Sequence, residues 1–264
     1  MSARARGPTI AELRAVTQPA AIRDRRNSEH WVADLYLRRL SPYVTRLLLR
    51  TGASPNGVTA MMIASGGLAG VALLLPGLPG AVLAALLAQL QMLLDCCDGE
   101  VARWRRKFSP AGTFLDKVGH YTAESVIPVL LGARAAGGLG ALDRVWFTLG
   151  ALLAVLVLLN KALNDMVHVA RAFAGLPPIQ DRTDVAAPRS PGLYRLRAAA
   201  RFLPFHRAFH SVELTLVALA AAVGDSFAGH LAVTRLTLAV LTPAAALVLV
   251  GHLVAILASS RLRA

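Results

Sequence analysis

Apolar residues run through this chain in long blocks separated by short polar ones. From Thr51 to Leu94 there is no Asp, Glu, Lys or Arg, a stretch long enough for two membrane crossings of roughly 20 residues each. Pro76, Gly77, Pro79 and Gly80 break it and mark a hairpin. The pattern predicts helices near 58–75, 80–102, 113–133 and 144–170, then, after a Pro- and Arg-rich loop at 175–205, near 208–224 and 236–258. Gly66, Gly67 and Gly70 form a small-residue patch suited to close helix packing; Gly137, Gly138 and Gly140 read as a loop. Upstream, Trp31, Val32, Leu35, Tyr36, Leu40, Val44 and Leu47 recur at steps of three and four, punctuated by Arg38, Arg39, Arg46 and Arg50. This is the pattern of a basic amphipathic helix, lying either on the membrane surface or against the protein itself. Residues 1–30 are polar and Arg-rich without an apolar signal-peptide core, and read as a cytoplasmic tail.

Composition sharpens this picture. Of 264 residues, 55% are hydrophobic and 16% charged, with a mean hydropathy of +0.54. These values exclude a disordered chain, a disulfide scaffold and an ordinary soluble α/β enzyme. The expected fold is an all-α polytopic membrane protein. Residues 1–50 would form the tail and surface helix, and 51–264 a domain of six transmembrane helices. The net charge is +13. Its positive groups fall in the tail, at Arg103, Arg105, Arg106 and Lys107, in the loop at 175–207 and at Arg261 and Arg263, while the other side holds little more than Arg134, Arg144 and Arg235. By the positive-inside rule, a multi-pass protein of the cell membrane follows, with both termini cytoplasmic. A nucleic-acid partner is not expected, because the apolar runs leave no soluble core to display a basic patch. Cys96 and Cys97 are adjacent, so neither an ordinary disulfide nor a CxxC site follows.

The chemistry concentrates in residues 95–120. Asp95 and Asp98, three apart, share a face at the end of the second predicted span; Asp116 and His120, four apart, share one at the start of the third. A short connection folds these helices back so that the four groups converge at the cytoplasmic boundary. Ionisable groups at such depth mark functional sites. Carboxylates gathered there would repel one another into protonation unless a divalent cation held them, and oxygen ligands favour Mg²⁺, Mn²⁺ or Ca²⁺. The alternative is pairing with the neighbouring Arg cluster. Gly99 and Gly112 would let a ligand approach the backbone closely.

These residues resemble a known family, the CDP-alcohol phosphotransferases, which carry D-x-x-D-G-x-x-A-R, a spacer of about eight residues, and G-x-x-x-D-x-x-x-D. Here Asp95, Asp98, Gly99, Ala102 and Arg103 are followed, at that spacing, by Gly112 and Asp116, with His120 at the last position. Ser54-Pro55-Asn56-Gly57-Val58-Thr59 is similar to the family's P-N-x-x-T segment. The resemblance implies transfer of a phosphatidyl or phosphoalcohol group from a CDP-linked lipid or alcohol, often CDP-diacylglycerol, to an acceptor hydroxyl, with loss of CMP, in phospholipid biosynthesis. It implies two ions, Mg²⁺ or Mn²⁺, held by Asp95, Asp98 and Asp116. It also implies a nucleotide pocket of Asn56, Thr59, Asp98, Gly99, Ala102, Arg103, Gly112 and Thr113, and a homodimer in the bilayer.

Two departures carry weight. Where the family has an Asp that deprotonates the acceptor and contacts a metal, this chain has His120. An imidazole, with an unperturbed pKa near 6.5, serves as general base or as metal ligand, so His120 and Asp116 are the candidate catalytic residues. The segment Val169 to Gly175 resembles the R-A-R-A-E-x-x-G element of members that use phosphorylated acceptors, but of its charges only Arg171 is retained. Lys161, Asn164, Asp165 and His168 lie upstream, and Arg171 with Lys161 are the candidate acceptor-binding cations. His206, His210 and Glu213 lack a fourth ligand for zinc. Two alternatives stand beside the main reading. One is a divergent member using a specialised small-molecule CDP-alcohol. The other is a non-catalytic nucleotide- or lipid-binding homologue, because His120 replaces the Asp. A metal transporter is disfavoured, since the carboxylates cluster at one edge and not at the midplane.

Overall fold

A computed structural model describes residues 8–19, 33–140, 143–177 and 208–262. Helix α1 is Ile10–Thr17. A π-helical turn, Ala33–Leu37, runs into α2, Arg38–Arg50. Then come α3, Pro55–Ala72; α4, Gly77–Arg105; α5, Pro110–Ala135; α6, Arg144–Phe173; α7, Ser211–Ala228; and α8, Ala232–Ala258. There is no strand among the described residues. Helices stand at all six predicted span positions. Four of them, α4, α6, α7 and α8, are long and apolar enough to cross a membrane. The other two dilute their apolar surface, α3 with Asn, Thr, Ser and Gly, and α5 with Asp116, Lys117, His120 and Glu124.

Local sequence explains where the site helices begin. Ser54 and Ser109 both cap a helix whose first residue is proline. Each serine hydroxyl accepts a backbone N–H at 3.0 Å, from Gly57 and Gly112 respectively. A serine cap relieves an otherwise orphaned donor, and proline at the first position loses no hydrogen bond. At its other end α4 stops where Arg106 turns left-handed, with φ 51°.

Small residues set the packing. The glycine patch predicted to join helices does so: α3 lies against both α4 and α5. A Cβ added at Gly66 would fall 2.8 Å from the Ala123 methyl, and one at Gly70 2.6 Å from Val126. Gly137 and Gly138 sit in a turn with positive φ, as expected of a loop. The closest approach between two helices is that of α5 and α6, where a Cβ on Gly150 would lie 2.5 Å from the Gly132 Cα. Backbone cannot yield as a flexible side chain can. Gly150→Ala should therefore destabilise the protein by about 1–3 kcal/mol, seen as a lower unfolding midpoint in detergent. Gly67→Ala, which meets nothing within 4 Å, should leave the midpoint unchanged or raise it, since alanine suits a helix interior better than glycine. Equal midpoints for the two variants would refute this account of the α5–α6 contact.

Two of the positive charges assigned to the outer side serve the fold. Arg134 is buried and donates to the carbonyls of Leu73, Leu75 and Gly77 at 3.3, 3.1 and 2.7 Å. It thereby satisfies acceptors where the chain turns from α3 into α4. Arg235 donates to the Ala135 carbonyl and stands 5.5 Å over the Trp146 ring.

The N-terminal region departs from expectation. The presumed tail contains α1, which opens with a reciprocal capping box between Thr9 and Glu12 and buries Leu13 and Thr17. The Thr-x-x-Glu spacing was the available signal. Helix α2 follows the second reading of the amphipathic stretch, packing against the protein, and also carries an outward apolar face. Ser41, Pro42 and Thr45 are buried and the helix packs on α4, while Leu40, Tyr43 and Leu47 point outward at 48%, 57% and 60% exposure. Trp31 and Val32, most of the 175–205 loop, His206, Arg263 and the arginines at 4, 6, 23, 25 and 26 lie outside the described residues.

Candidate functional site

The end of α4 brings Asp95 and Asp98 to the start of α5, with α3 seated against both helices. His120 Nε2 is 3.1 Å from Asp95 Oδ1 and 3.7 Å from Asp116 Oδ1. One ligand atom each from Asp95, Asp116 and His120 lies within 4.8 Å of the others, and all three residues are partly buried. This donor set suits a divalent cation.

Asp98 has a partner of its own on α3. Its Oδ2 accepts the Thr59 hydroxyl at 2.7 Å, and that hydroxyl also lies 3.1 Å from the Pro55 carbonyl. Of the four groups expected to converge, Asp95, Asp116 and His120 form a close trio, and Asp98 is tied to α3. The helix period places Asp98 one turn from Asp95, but the Thr59 partner turns its carboxylate toward the α3 start. Of the nucleotide candidates, Asn56, Thr59, Asp98 and Gly112 meet there. A Cβ on Gly112 would be 3.2 Å from Asn56 Oδ1, and one on Gly99 would be 3.0 Å from a terminal nitrogen of Arg103. Both glycines keep backbone open beside a polar side chain. Ala102 is half-buried and Thr113 exposed on the same helix ends. Arg103 and Arg105, candidates for pairing with the aspartates, donate to the main-chain carbonyls of Thr17 and Gly52.

The two acceptor candidates are both on α6 but in different surroundings. Lys161 donates to Glu124 Oε1 at 2.9 Å and stands 5.8 Å from the centre of the Tyr121 ring. Arg171 donates to the carbonyls of Pro177 and Arg261, joining the ends of α6 and α8. Between them, Asp165 accepts from Lys117 and Tyr121 at 2.8 and 3.1 Å. An open surface groove lies beside Lys117 and Tyr121, lined also by Phe114, Val118, Thr122, Ser125 and Leu158.

Glu124 was not anticipated. It is 2% exposed and lies 3.0 Å from His210 Nδ1 as well as bonding Lys161. Its four-residue step beyond His120 continues the face of Asp116 and His120, and that was the signal available. Glu100, inside the motif itself, was missed too. Its partners lie far away in sequence.

A family model for CDP-alcohol phosphatidyltransferases matches residues 53–187, just over half of the chain. The match runs from the cap of α3 through α6, and so contains every aspartate of the cluster. No curated protein matches.

Proposed function

The chain belongs to the CDP-alcohol phosphatidyltransferase family, and from that premise we propose that it moves a phosphatidyl or phosphoalcohol group from a CDP-linked donor to an acceptor hydroxyl, releasing CMP. CDP-diacylglycerol is the donor proposed, with a phospholipid as product. The observation that carries this reading is the clustering of Asp95, Asp116 and His120 where two helices of an apolar bundle meet.

In this reading Asp95, Asp98, Asp116 and His120 hold two Mg²⁺ or Mn²⁺ ions. Such ions would neutralise the pyrophosphate and stabilise departing CMP. His120 presents Nε2 to both aspartates, which supports a ligand role for that nitrogen. A nitrogen so committed cannot also take a proton, so the acceptor hydroxyl proton passes to a carboxylate oxygen of Asp116. Asn56, Thr59, Gly99, Ala102, Arg103, Gly112 and Thr113 receive the nucleotide, with Arg103 as the phosphate fork. Lys161 and Arg171 serve the acceptor side. A homodimer in the cell membrane, with α3 and α5 crossing as well and no nucleic-acid partner, completes the proposal.

The test is turnover by purified protein with CDP-diacylglycerol, Mg²⁺ or Mn²⁺, and a panel of alcohols, following CMP. A lipid product together with CMP is expected. Release of CMP only from a soluble CDP-alcohol would favour the specialised member. Binding of CMP without turnover would favour the non-catalytic homologue, a reading that His120 keeps open. Orientation has its own test. Val185→Cys, in a background of Cys96→Ser and Cys97→Ala, should label only from the cytoplasmic side. Labelling from outside would invert the topology.

A further inference from the structure

Glu100 lies within the aspartate motif, yet its carboxylate serves the N-terminal elements. It is 2% exposed. Its Oε1 accepts from Gln18 Nε2 at 2.7 Å and from the Ser41 hydroxyl at 2.6 Å, and its Oε2 accepts the Thr45 hydroxyl at 2.6 Å. Gln18 Nε2 also donates to the Arg38 carbonyl at 2.8 Å. One buried acceptor thus fastens the end of α1 and one face of α2 to α4.

The residue before Gln18 is Thr17, the last of α1 and fully buried. Its carbonyl is one of those a helix end leaves without an internal partner, where the helix dipole is negative. Arg103 Nε donates to that carbonyl at 2.7 Å. The two terminal nitrogens of the same guanidinium would be 3.0 and 3.2 Å from a Cβ on Gly99. The inner N–H is therefore occupied by protein, while the outer fork lies over bare backbone. An arginine fixed through Nε keeps its four terminal N–H donors for a bidentate partner.

We propose that Gln18 and Glu100 are positioning residues for Arg103: by docking the end of α1, they make the Thr17 carbonyl hold the guanidinium fork over Gly99 for the phosphates of a CDP group. The proposal rests on the nucleotide reading given above. Arginine loses much rotamer freedom when it binds a phosphate, and a side chain already oriented loses less. Breaking the clasp thus weakens binding of the nucleotide without touching the reacting groups.

The experiment measures CMP affinity by calorimetry in detergent and, on the same samples, the kinetic constants. Gln18→Ala should weaken CMP binding and raise the donor KM about tenfold, the scale of one lost orienting hydrogen bond. The acceptor KM and kcat should move little. In an Arg103→Ala background, Gln18→Ala should have no further effect, because the group it positions is gone. Thr45→Val, which removes one donor to Glu100 and keeps the shape, should weaken CMP in the same direction and stands in if Gln18→Ala does not fold. Unchanged CMP binding in Gln18→Ala or Thr45→Val, or full additivity with Arg103→Ala, would overturn the positioning role alone. A parent protein that binds no CMP would overturn the nucleotide reading and this proposal with it.

Discussion

Asp116→Asn should lower CMP release by about 10³-fold or more, and Asp95→Asn should do the same. Each replacement removes one negative charge from a cluster whose ligand atoms lie within 4.8 Å of one another. An amide oxygen is a weaker ligand for a hard cation than a carboxylate. Losing several kcal/mol of charge stabilisation at the leaving phosphate translates into a rate loss of about that size. Asp98→Asn belongs in the same series with an added signature. The Thr59 hydroxyl bonds its carboxylate at 2.7 Å, so an amide there also disturbs the joint between α3 and α4. Thr59→Val should then reproduce a small part of the Asp98→Asn effect, and should leave Asp116 chemistry alone. Folded yield in detergent should be near that of the parent for the Asp95 and Asp116 variants, since both residues are only partly buried. Mn²⁺ titration followed by magnetic resonance gives a second readout, with binding weakened in each variant. Turnover near the parent level in Asp116→Asn would refute the assignment.

His120 separates an enzyme of the usual kind from a relative that only binds. His120→Ala should weaken Mn²⁺ binding and lower the rate together with it, because a ligand is lost. It removes a nitrogen placed 3.1 Å from Asp95 and 3.7 Å from Asp116. His120→Asp should keep substantial activity and shift the metal preference from Mn²⁺ toward Mg²⁺, because an imidazole favours the softer ion and a carboxylate the harder. The two measurements divide the roles. A rate loss in His120→Ala with Mn²⁺ affinity unchanged would return the nitrogen to duty as a base and remove it from the ligand set. An inert parent with an active His120→Asp would establish the non-catalytic homologue as the better reading.

Much of this site was legible because its logic is local. Asp95 and Asp98, and Asp116 and His120, are placed on their faces by the helix period alone. Ser54-Pro55 and Ser109-Pro110 state where α3 and α5 begin. The glycines at 66 and 70 announced a close contact, though not its partner. The features that went unread are those whose partners are remote. Glu100 bonds residues 55 to 82 positions away. Glu124 meets His210 across 86, and Arg134 meets the α3–α4 hairpin across about 60. The composition of the N-terminal 30 residues suggested a solvated tail. The short apolar seam of α1, Leu13 and Thr17, was too slight against that background to predict docking.

The sequence by itself determined that this chain is helical, apolar along most of its length, and furnished with an aspartate motif whose residues must face one way. Hydropathy and the 3.6-residue period act within a helix, so they need no knowledge of neighbours. The tertiary structure alone decided that Asp98 turns to Thr59 while Asp95, Asp116 and His120 close on one another, and that Arg103 is held from behind by the end of α1. Which carboxylate meets which donor depends on how α3 seats against α4 and α5. That seating is set by glycines whose missing side chains let backbones approach, a property that emerges only when the helices are brought together.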